Sequence, residues 1–161
     1  MPAAAGTGYN LAVTARRARE DEWERVKELR LRALRDEPSA FHSRYEDEVA
    51  EPDEGWRAWL GRDPIYVAGD YDAICGAYVR EDGEAQLIAM YVLPEARRRG
   101  LGRALIAAVE DWARDQRHAR VFLNVMDGND AARALYESCG YRSTGIRRAD
   151  DPRSLEFAKT L

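Results

Sequence analysis

The chain contains 161 residues, of which 45% are apolar and 34% charged, and its formal net charge is -4. A chain of this length buries roughly two-thirds of the surface that its unfolded form exposes, so one core suffices without a metal or a disulfide. No apolar run approaches the roughly 18 to 20 residues of a membrane span, and the acidic total argues against general nucleic-acid binding, which depends on clustered Lys and Arg. Composition therefore predicts a soluble globular protein with neither a membrane nor a nucleic acid as partner.

The N-terminus and the two cysteines carry no targeting or redox signal. The first ten residues are small and polar and lack the basic start and apolar run of a secretory signal. We therefore expect a disordered lead over residues 1–8, one domain over residues 9–161 and a cytoplasmic location. Cys75 and Cys139 have no spaced framework around them, so they predict neither a zinc site nor a disulfide scaffold, and we interpret both as small buried apolar residues.

The first third of the chain predicts one short strand and two helices. Residues 11–14 have strand composition, and Asp21 is placed to cap a helix over Glu22–Arg35, in which apolar residues recur at steps of three and four. The acidic segment Ser39–Gly61 is broken by a proline, yet Trp56 and its apolar neighbours have helical spacing. We predict a short amphipathic helix there.

The middle of the chain predicts a hairpin, a central strand and a long helix. Ile65–Ala68 and Ala73–Val79 are rich in β-branched and aromatic residues and are separated by a turn composition. Ala85–Val92 is almost continuously apolar, which is typical of a strand buried on both faces. Gly100–His118 presents one apolar stripe at helical spacing, so we expect it to pack on the sheet.

The last third predicts one buried strand, one capped helix and two further strands. Val121–Val125 is apolar, and Asn129 is placed to cap a helix that Gly140 ends. Two stretches supply the final strands: Tyr141–Ile146 and Ser154–Ala158. The resulting order is β-α-α-β-β-β-α-β-α-β-β. It predicts an α/β (α+β) fold with a mixed sheet of six to seven strands flanked by about four helices, in which the two strands joined by the long helix run parallel.

The segment Pro94–Arg103 has the composition of a phosphate-binding turn. Gly100 and Gly102 allow close backbone approach to a ligand. The first amides of the helix that follows have no intrahelical partner, and they lie at the positive end of the helix dipole. Four arginines in the same segment add positive charge. The segment therefore predicts a site for a diphosphate group.

Two nucleotide-binding motifs do not fit this segment. A dinucleotide fold needs a third glycine in Gly-x-Gly-x-x-Gly, where this chain has Leu105. A Walker loop ends in Gly-Lys-Ser or Gly-Lys-Thr, and neither occurs here. A lone Gly-x-Gly could also simply start a helix whose arginines are solvated, so the surrounding sequence has to decide.

Two separated motifs resemble the GNAT superfamily of N-acetyltransferases. Its signature of Gln or Arg, two residues, Gly, one residue and Gly or Ala is matched by Arg97–Gly102, after a strand that ends Val92-Leu93-Pro94. Its second element, N-x-x-A-x-x-L-Y-E-x-x-G-[FY], is matched by Asn129–Tyr141, after Leu123-Asn124-Val125. The two motifs cover about residues 87–141. They imply the GNAT fold, with a splayed parallel strand pair, and acetyl-CoA as co-substrate without a metal.

The resemblance also implies which residues bind the cofactor. The diphosphate would be held by the segment that comprises Arg97, Arg98, Arg99, Gly100, Leu101, Gly102 and Arg103. The pantetheine arm would pair with the end of the preceding strand, at Met90, Tyr91 and Val92. Asn129 matches a family position that contacts the pantetheine, although it could act as a helix cap alone. Tyr136 matches the family's general acid, which protonates the departing thiolate; it could also be a packed core tyrosine.

The general base is left open by the sequence. Some members, including the branch that acetylates protein N-termini, have Glu where this chain has Asn124, and an amide cannot act as a base. Asn124 stays a candidate catalytic position by its place in the motif, but not as the base. The candidates for the base are Glu84, Asp127, His42 or a chain of water molecules. The tail, Ile146–Leu161, also lacks the tyrosine-bearing acceptor loop of that branch.

The acceptor and the partners are the least determined features. We expect the primary amine of a small molecule or peptide, and a homodimer is a common arrangement in the family. An acidic segment lies where the family places acceptor contacts and favours a cationic amine, although it could be a solvated helix face: Glu46, Asp47, Glu48, Glu51, Asp53 and Glu54. The alternative is a non-catalytic acyl-CoA sensor of the same fold, which the missing Glu at Asn124 supports and the retained Tyr136 opposes.

Overall fold

A computed structural model of the chain describes residues 13–161. The predicted lead over residues 1–8 and the first half of the predicted strand at 11–14 lie outside that range. Within it, no helix is long and apolar enough to cross a bilayer.

The described residues form one seven-stranded mixed sheet. Its strands are β1 (Ala15–Arg17), β2 (Ile65–Ala68), β3 (Ala73–Val79), β4 (Ala85–Val92), β5 (Arg120–Met126), β6 (Arg142–Arg147) and β7 (Ser154–Thr160). Their order across the sheet is β1-β2-β3-β4-β5-β7-β6. Every neighbouring pair is antiparallel except β4 and β5, which confirms the predicted fold class and its parallel pair. The strand β4 lies in the middle of the sheet, as its apolar sequence predicted.

The first strand begins later than predicted. Residues 13 and 14 are outside any strand, and β1 instead comprises Ala15–Arg17, two-thirds of which is arginine. Its register with β2, from Ala15 opposite Ala68 to Arg17 opposite Tyr66, explains the difference. An edge strand of three residues is fixed by pairing with its neighbour, so its own composition is a poor guide.

Five α-helices flank the sheet, one more than the predicted order contains. They are α1 (Trp23–Asp36), α2 (Tyr45–Val49), α3 (Asp53–Arg62), α4 (Leu101–Asp115) and α5 (Asp130–Ser138). The acidic segment predicted to hold one short helix holds both α2 and α3, because Pro52 separates them. The predicted cap at Asp21 is wrong, since a short 3-10 turn over 20–22 precedes α1 and the Asp21 carboxylate pairs with Arg19 instead.

The helices lie on opposite faces of the sheet, as two neighbouring residues of β3 show. The thiol of Cys75 lies 3.8 Å from the Leu105 carbonyl of α4. A Cβ added to Gly76, which points the other way, would lie 3.6 Å from the ring of Trp59 in α3. Successive residues of a strand face opposite sides, so α4 covers one face and α3 the other.

Candidate active site

The parallel strands β4 and β5 separate soon after they meet, and we call the gap between them the splay. They pair only at Ala85 opposite Val121 and at Gln86 opposite Phe122. Beyond that point β5 stays paired with β7, and β4 stays paired with β3 as far as Val92. The facing edges of the two strands therefore have no partner strand, and such an edge can pair with an extended ligand.

A β-bulge in β4 lies at the splay. The register between β3 and β4 shifts by one residue between Ile74 and Gly76, and Ala89 has a φ of 58°. A positive φ is rare for a residue with a side chain, and a bulge bends its strand and redirects the local backbone. The bulge thus turns the second half of β4 relative to β5 at the point where the two strands part.

The end of β4 leads into the N-terminus of α4 through a turn with two positive φ angles, 62° at Arg98 and 80° at Gly100. The first helical hydrogen bond runs from the Ala104 N–H to the Gly100 carbonyl. No side chain caps the helix, and in the described part of the chain no backbone carbonyl accepts from the Leu101, Gly102 or Arg103 N–H. Three adjacent amide donors are thus left at the positive end of a helix dipole, where an anion binds favourably.

The two glycines of this turn have different surroundings. A Cβ added at Gly100 would meet nothing within 4 Å, so open space lies beside it. A Cβ added at Gly102 would lie 2.9 Å from Cδ2 of Leu135, because α5 packs against α4 there. Gly102 is therefore also a packing position, and a large residue there would disturb folding as well as any ligand.

The arginines of the turn fall into two pairs. Arg97 donates from Nε to the Val92 carbonyl at 3.0 Å and forms an ion pair with Glu37. Arg103 donates to the Ser138 hydroxyl at 2.7 Å and so ties α4 to α5. By contrast, Arg98 and Arg99 are exposed and have no ion-pair partner among residues 13–161; Arg99 makes only a 3.4 Å contact with a backbone carbonyl. These two side chains are available to an anion beside the amides.

The structure places Tyr136 on the α4 face of the sheet. It is 5% exposed, and its ring meets that of Tyr141 edge to face at 6.0 Å. Burial raises the pKa of Tyr136 above its ordinary value, with further contributions from Cys75 and Cys139. The phenol therefore keeps its proton at every pH near neutrality. Cys75 of β3, a neighbour of β4 in the sheet, is close enough to contribute to that shift.

Asn129 caps α5 as predicted. Its side chain accepts from the Ala132 N–H at 3.3 Å, and the residue is half-buried. Capping uses only the carboxamide oxygen, so the NH₂ group of the side chain remains as a donor. The helix-cap reading and the cofactor-contact reading are thus compatible.

The two cysteines differ in burial. Cys75 is fully buried, as expected. Cys139 is only half-buried, because it follows the last turn of α5, where the Arg103 guanidinium lies 3.6 Å from its sulfur. Among the described residues, no group of three His, Cys, Asp or Glu side chains could hold a metal ion.

On the other face, a cavity of about 640 Å³ opens over the splay, and we call it the splay cavity. Its floor includes Ile88 and Ala89 of β4 and Asn124 of β5. Aromatic side chains make up much of its wall: Phe41, Trp56, Trp59 and Tyr78. Since the floor is the splay itself, a ligand that lies along the gap can reach the cavity from the α4 face.

Three of the six acidic residues singled out in the sequence line this cavity: Asp47, Glu48 and Glu51. Glu48 is held by Arg30 through two hydrogen bonds of 2.9 and 3.0 Å. Asp47 and Glu51 have no ion-pair partner within the range that the structure describes, and both are exposed. The cavity thus presents two uncompensated carboxylates beside aromatic rings, a combination that attracts a cation.

Asn124 lies at the point where the strands part, and its side chain bridges them. The Gln86 amide donates to Oδ1 of Asn124 at 3.0 Å, across the gap that backbone pairing has left. Gln86 is buried at 7% exposure and in turn lies 3.5 Å from Arg80. Asn124 therefore has a structural partner, and its amide is a hydrogen-bonding group at the cavity floor.

The base candidates occupy very different places. Glu84 lies at the closed end of the parallel pair, where its carboxylate accepts from the Arg120 N–H at 3.0 Å. Asp127 follows β5, and Arg147 contacts both of its oxygens at 3.0 Å. Neither residue lines the splay cavity, whereas His42 does. The geometry therefore does not favour the Glu84 assignment.

Sequence reasoning gave no role to several residues that form the site. Gln86, Trp59 and Tyr78 come from β4, α3 and β3, and no motif links them. The only usable signal was the polar Gln86 in the otherwise apolar run of β4, because a buried polar side chain needs a partner.

Comparison with known proteins adds a family and several relatives. The model of the Acetyltransferase (GNAT) family matches residues 19–141. The [ribosomal protein bS18]-alanine N-acetyltransferase of Escherichia coli is 43% identical over 65 residues, which are 40% of this chain and 44% of that enzyme. The chain spans less than half the length of the curated relatives it matches, for example 26% and 44% of two of them.

Solved structures agree in fold along nearly the whole chain. The ribosomal-protein-alanine N-acetyltransferase from Brucella melitensis has a TM-score of 0.75 at 21% identity, covering 91% of this chain and 99% of that one. The Salmonella typhimurium protein yncA, solved with its cofactor acetyl-CoA, has a TM-score of 0.74 at 19% identity, covering 92% of this chain and 94% of that one. At 19% and 21% identity, this likeness shows a shared fold and nothing about the substrate.

Proposed function

The chain belongs to the Acetyltransferase (GNAT) family, and on that premise we propose that it transfers an acetyl group from acetyl-CoA to a primary amine of a small molecule or peptide. The observation that carries the proposal is the continuity of the splay with the three unpartnered amides at the start of α4. An extended arm with an anionic end fits such a groove. The relatives named as N-acetyltransferases support the same reaction class.

The residues of the groove fit acetyl-CoA part by part. The amides of Leu101, Gly102 and Arg103 would hold the diphosphate, with Arg98 and Arg99 adding charge. The edge of β4 over Met90–Val92 would pair with the pantetheine arm. Arg97 and Arg103 act indirectly, because their guanidinium groups already fix the turn to Glu37 and to α5.

The reaction is direct transfer in a ternary complex, for which acetyl-CoA supplies the thioester. An unpaired N–H of β4 at the splay polarises the thioester carbonyl, where negative charge develops in the transition state. Tyr136 provides the proton for the departing thiolate. Burial keeps that proton on the phenol and disfavours a lasting tyrosinate, so the hydroxyl has to regain a proton before the next turnover.

The acceptor amine would occupy the splay cavity, with its nitrogen near the cavity floor. Asp47 and Glu51 favour a cationic acceptor, and the aromatic wall packs against its apolar part. This assignment extends to peptides, since a curated relative is named for acetylating an alanine of a ribosomal protein.

Thiol release during incubation with acetyl-CoA and an amine panel tests the proposal. We expect release that depends on both the protein and an amine, with the acetylated amine detected by mass spectrometry. Acetyl-CoA binding in calorimetry without any release across a broad panel would contradict turnover and favour the acyl-CoA sensor.

A further inference from the structure

A histidine lies between two aspartates at the edge of the splay cavity. We propose that His42 is the general base that takes the proton from the acceptor amine; the inference rests on the proposed acetyl transfer. A ring nitrogen of His42 takes one proton from the ammonium form of the acceptor, and the lone pair exposed in this way bonds to the acetyl carbon. The second proton leaves the same nitrogen to water as the amide forms. The carbon–sulfur bond then breaks, and Tyr136 supplies the proton for the thiolate. The proton on His42 passes to solvent, since the side chain is 46% exposed.

His42 lies beside the loop between β6 and β7. Its Nε2 lies 3.5 Å from Asp150 Oδ2 and its Nδ1 lies 3.6 Å from Asp151 Oδ2. That loop is anchored next to the open end of the splay, because the Ser154 N–H donates to the Asp151 carbonyl at 3.0 Å and Ser154 pairs with Met126 of β5. Met126 is two residues beyond Asn124, and His42 and Asn124 both line the splay cavity.

The aspartates on both sides of the ring stay ionised in any assay near neutrality. Arg148 holds Asp150 through two hydrogen bonds of 2.9 Å and lowers the pKa of that carboxyl to about 2. Arg153 holds Asp151 in the same way and lowers its pKa. Both carboxylates can therefore stabilise the positive charge that proton transfer places on the ring.

The ring is also free to face the substrate. Its distances to the two carboxylates exceed those of a hydrogen bond, so neither nitrogen is committed to the loop. The remaining charges that line the cavity around it are Asp47, Glu51, Arg62 and the Arg30–Glu48 pair. Asp47 and Glu51 could accept a proton as well, but an imidazole is a better match than a carboxylate for a base that works near neutral pH.

The other candidates are tied elsewhere. Glu84 and Asp127 lie outside the cavity in ion pairs of their own, and Asn124 is an amide. A second cavity of about 650 Å³ shares Phe41, His42 and Ser43 with the first and is also lined by Asp150 and Asp151. His42 therefore borders a second opening through which water can carry the proton away.

The test compares His42→Gln with His118→Gln, a matched control that uses the chain's only other histidine. His118 contacts the Gly83 carbonyl at 2.8 Å, at the closed end of the parallel pair. At saturating amine, His42→Gln should lower kcat by about 10² or more, the range of general base catalysis, and flatten the acidic limb of the kcat–pH profile. The His118→Gln control should keep the kcat of the parent and the acidic limb of its pH profile. Calorimetry should give an unchanged acetyl-CoA affinity for the two variants.

Two further measurements distinguish a base from a structural role. An alkylamine is protonated at neutral pH, like a lysine with its reference pKa of about 10.4, whereas a weakly basic amine is already neutral. The factor by which His42→Gln lowers kcat should therefore be at least tenfold larger for the alkylamine than for the weakly basic amine. Asp150→Asn should lower kcat by a smaller factor than His42→Gln, because the ring loses one of the two negative charges that stabilise it while it carries the proton.

Three results would overturn the inference. The first is that the parent is active and the folded His42→Gln variant has a kcat within threefold of the parent's. The second is that kcat falls by the same factor for both amines. The third is that the acidic limb of the kcat–pH profile persists in the variant. A parent that transfers no acetyl group to any amine would overturn this inference together with the proposed function. An active parent with an unaffected variant would overturn this inference alone.

Discussion

The two faces of the splay are built in different ways. On the proposed cofactor side, which comprises the end of β4, the turn over 94–103 and α5, the groups offered to the ligand are mainly backbone amides and one buried phenol. On the proposed acceptor side, which is the splay cavity, they are side chains from α1, α2, α3, the strands and the β6–β7 loop. If the proposed sites are right, backbone geometry controls binding on one side and side-chain chemistry controls it on the other.

This difference has a consequence for specificity. Backbone amides recognise any ligand of the right shape and charge, and they tolerate changes in most neighbouring side chains. A cavity lined by carboxylates, aromatic rings and a histidine changes its preference with each substitution. We therefore expect variants on the cofactor side to alter rate or affinity for every acceptor alike, and variants on the acceptor side to alter the ranking of acceptors.

Tyr136→Phe should have the largest effect and should lower kcat equally for all acceptors. It removes one hydroxyl and keeps the ring against Tyr141, so folding and acetyl-CoA affinity should change little. General acid catalysis contributes about 10² to 10⁴-fold, and kcat should fall within that range in steady-state assays.

The pH dependence of kcat provides the control for Tyr136. An acid catalyst works while it is protonated, and burial raises the pKa of Tyr136 above its ordinary value near 10. The parent should therefore show no loss of kcat from this residue up to about pH 10. A folded Tyr136→Phe enzyme with kcat within about threefold of the parent would remove the phenol from the mechanism.

Charge reversal in the turn should weaken cofactor binding for every acceptor. In the double variant Arg98→Glu and Arg99→Glu, two negative charges face the diphosphate, and the dissociation constant of acetyl-CoA should rise at least tenfold, which is about 1.4 kcal/mol. This test is cleaner than a bulky residue at Gly102, whose substitution would also press on Leu135.

Arg117→Glu is a matched control for the single reversal Arg98→Glu, since each of the two variants changes the net charge by about two elementary charges. Arg117 is exposed and shares the φ of 62° that Arg98 has, but it lies after α4, at the opposite end of the helix. Its reversal should leave the dissociation constant unchanged in calorimetry. An equal loss in both variants would mean that net charge alone explains the effect and would contradict the placement of the diphosphate.

Neutralising the free carboxylates should change the ranking of acceptors. With Asp47→Asn and Glu51→Gln together, kcat/KM for a cationic amine should fall about threefold to tenfold, since exposed charges contribute up to roughly 1 kcal/mol each. A neutral amine should be unaffected. In the parent, kcat/KM of the cationic amine should also decrease with added salt, whereas equal salt dependence for both amines would reject an electrostatic role.

The same division explains what the sequence could predict. The elements from β2 to α5 were predicted within a few residues, because strong periodicity and turn residues mark them. The turn before α4 was predicted because its two glycines and the helix start lie within a few consecutive residues, whereas the cofactor role given to this turn remains a prediction. The roles given to Met90–Val92, Asn129 and Tyr136 remain predictions, as do a homodimer and a cytoplasmic location.

The acceptor side could not be predicted from local pattern. His42 meets Asp150 only because the β6–β7 loop is anchored beside Met126, more than eighty residues further along the chain. The bridge from Gln86 to Asn124 depends on the point at which β4 and β5 part. Such contacts follow from tertiary register, so a list of candidate bases was available from the sequence but the choice among them was not.

Asn129 offers the smallest and sharpest test of the cofactor side, because it combines a backbone cap with a side-chain donor. Asn129→Ser retains a capping oxygen, whereas Asn129→Ala removes it. The alanine variant should lose about 1 kcal/mol of unfolding free energy and the serine variant only a few tenths. Both variants lose the carboxamide NH₂, so both should raise the dissociation constant of acetyl-CoA by a similar factor of about two to five, equivalent to one modest hydrogen bond. Denaturant unfolding and calorimetry on the two variants separate the effects. The opposite outcome is that the affinity for acetyl-CoA follows stability, so that Asn129→Ser binds acetyl-CoA as tightly as the parent does. Asn129 would then act only as a helix cap, and Tyr136 would be the one polar side chain of α5 left for the cofactor side.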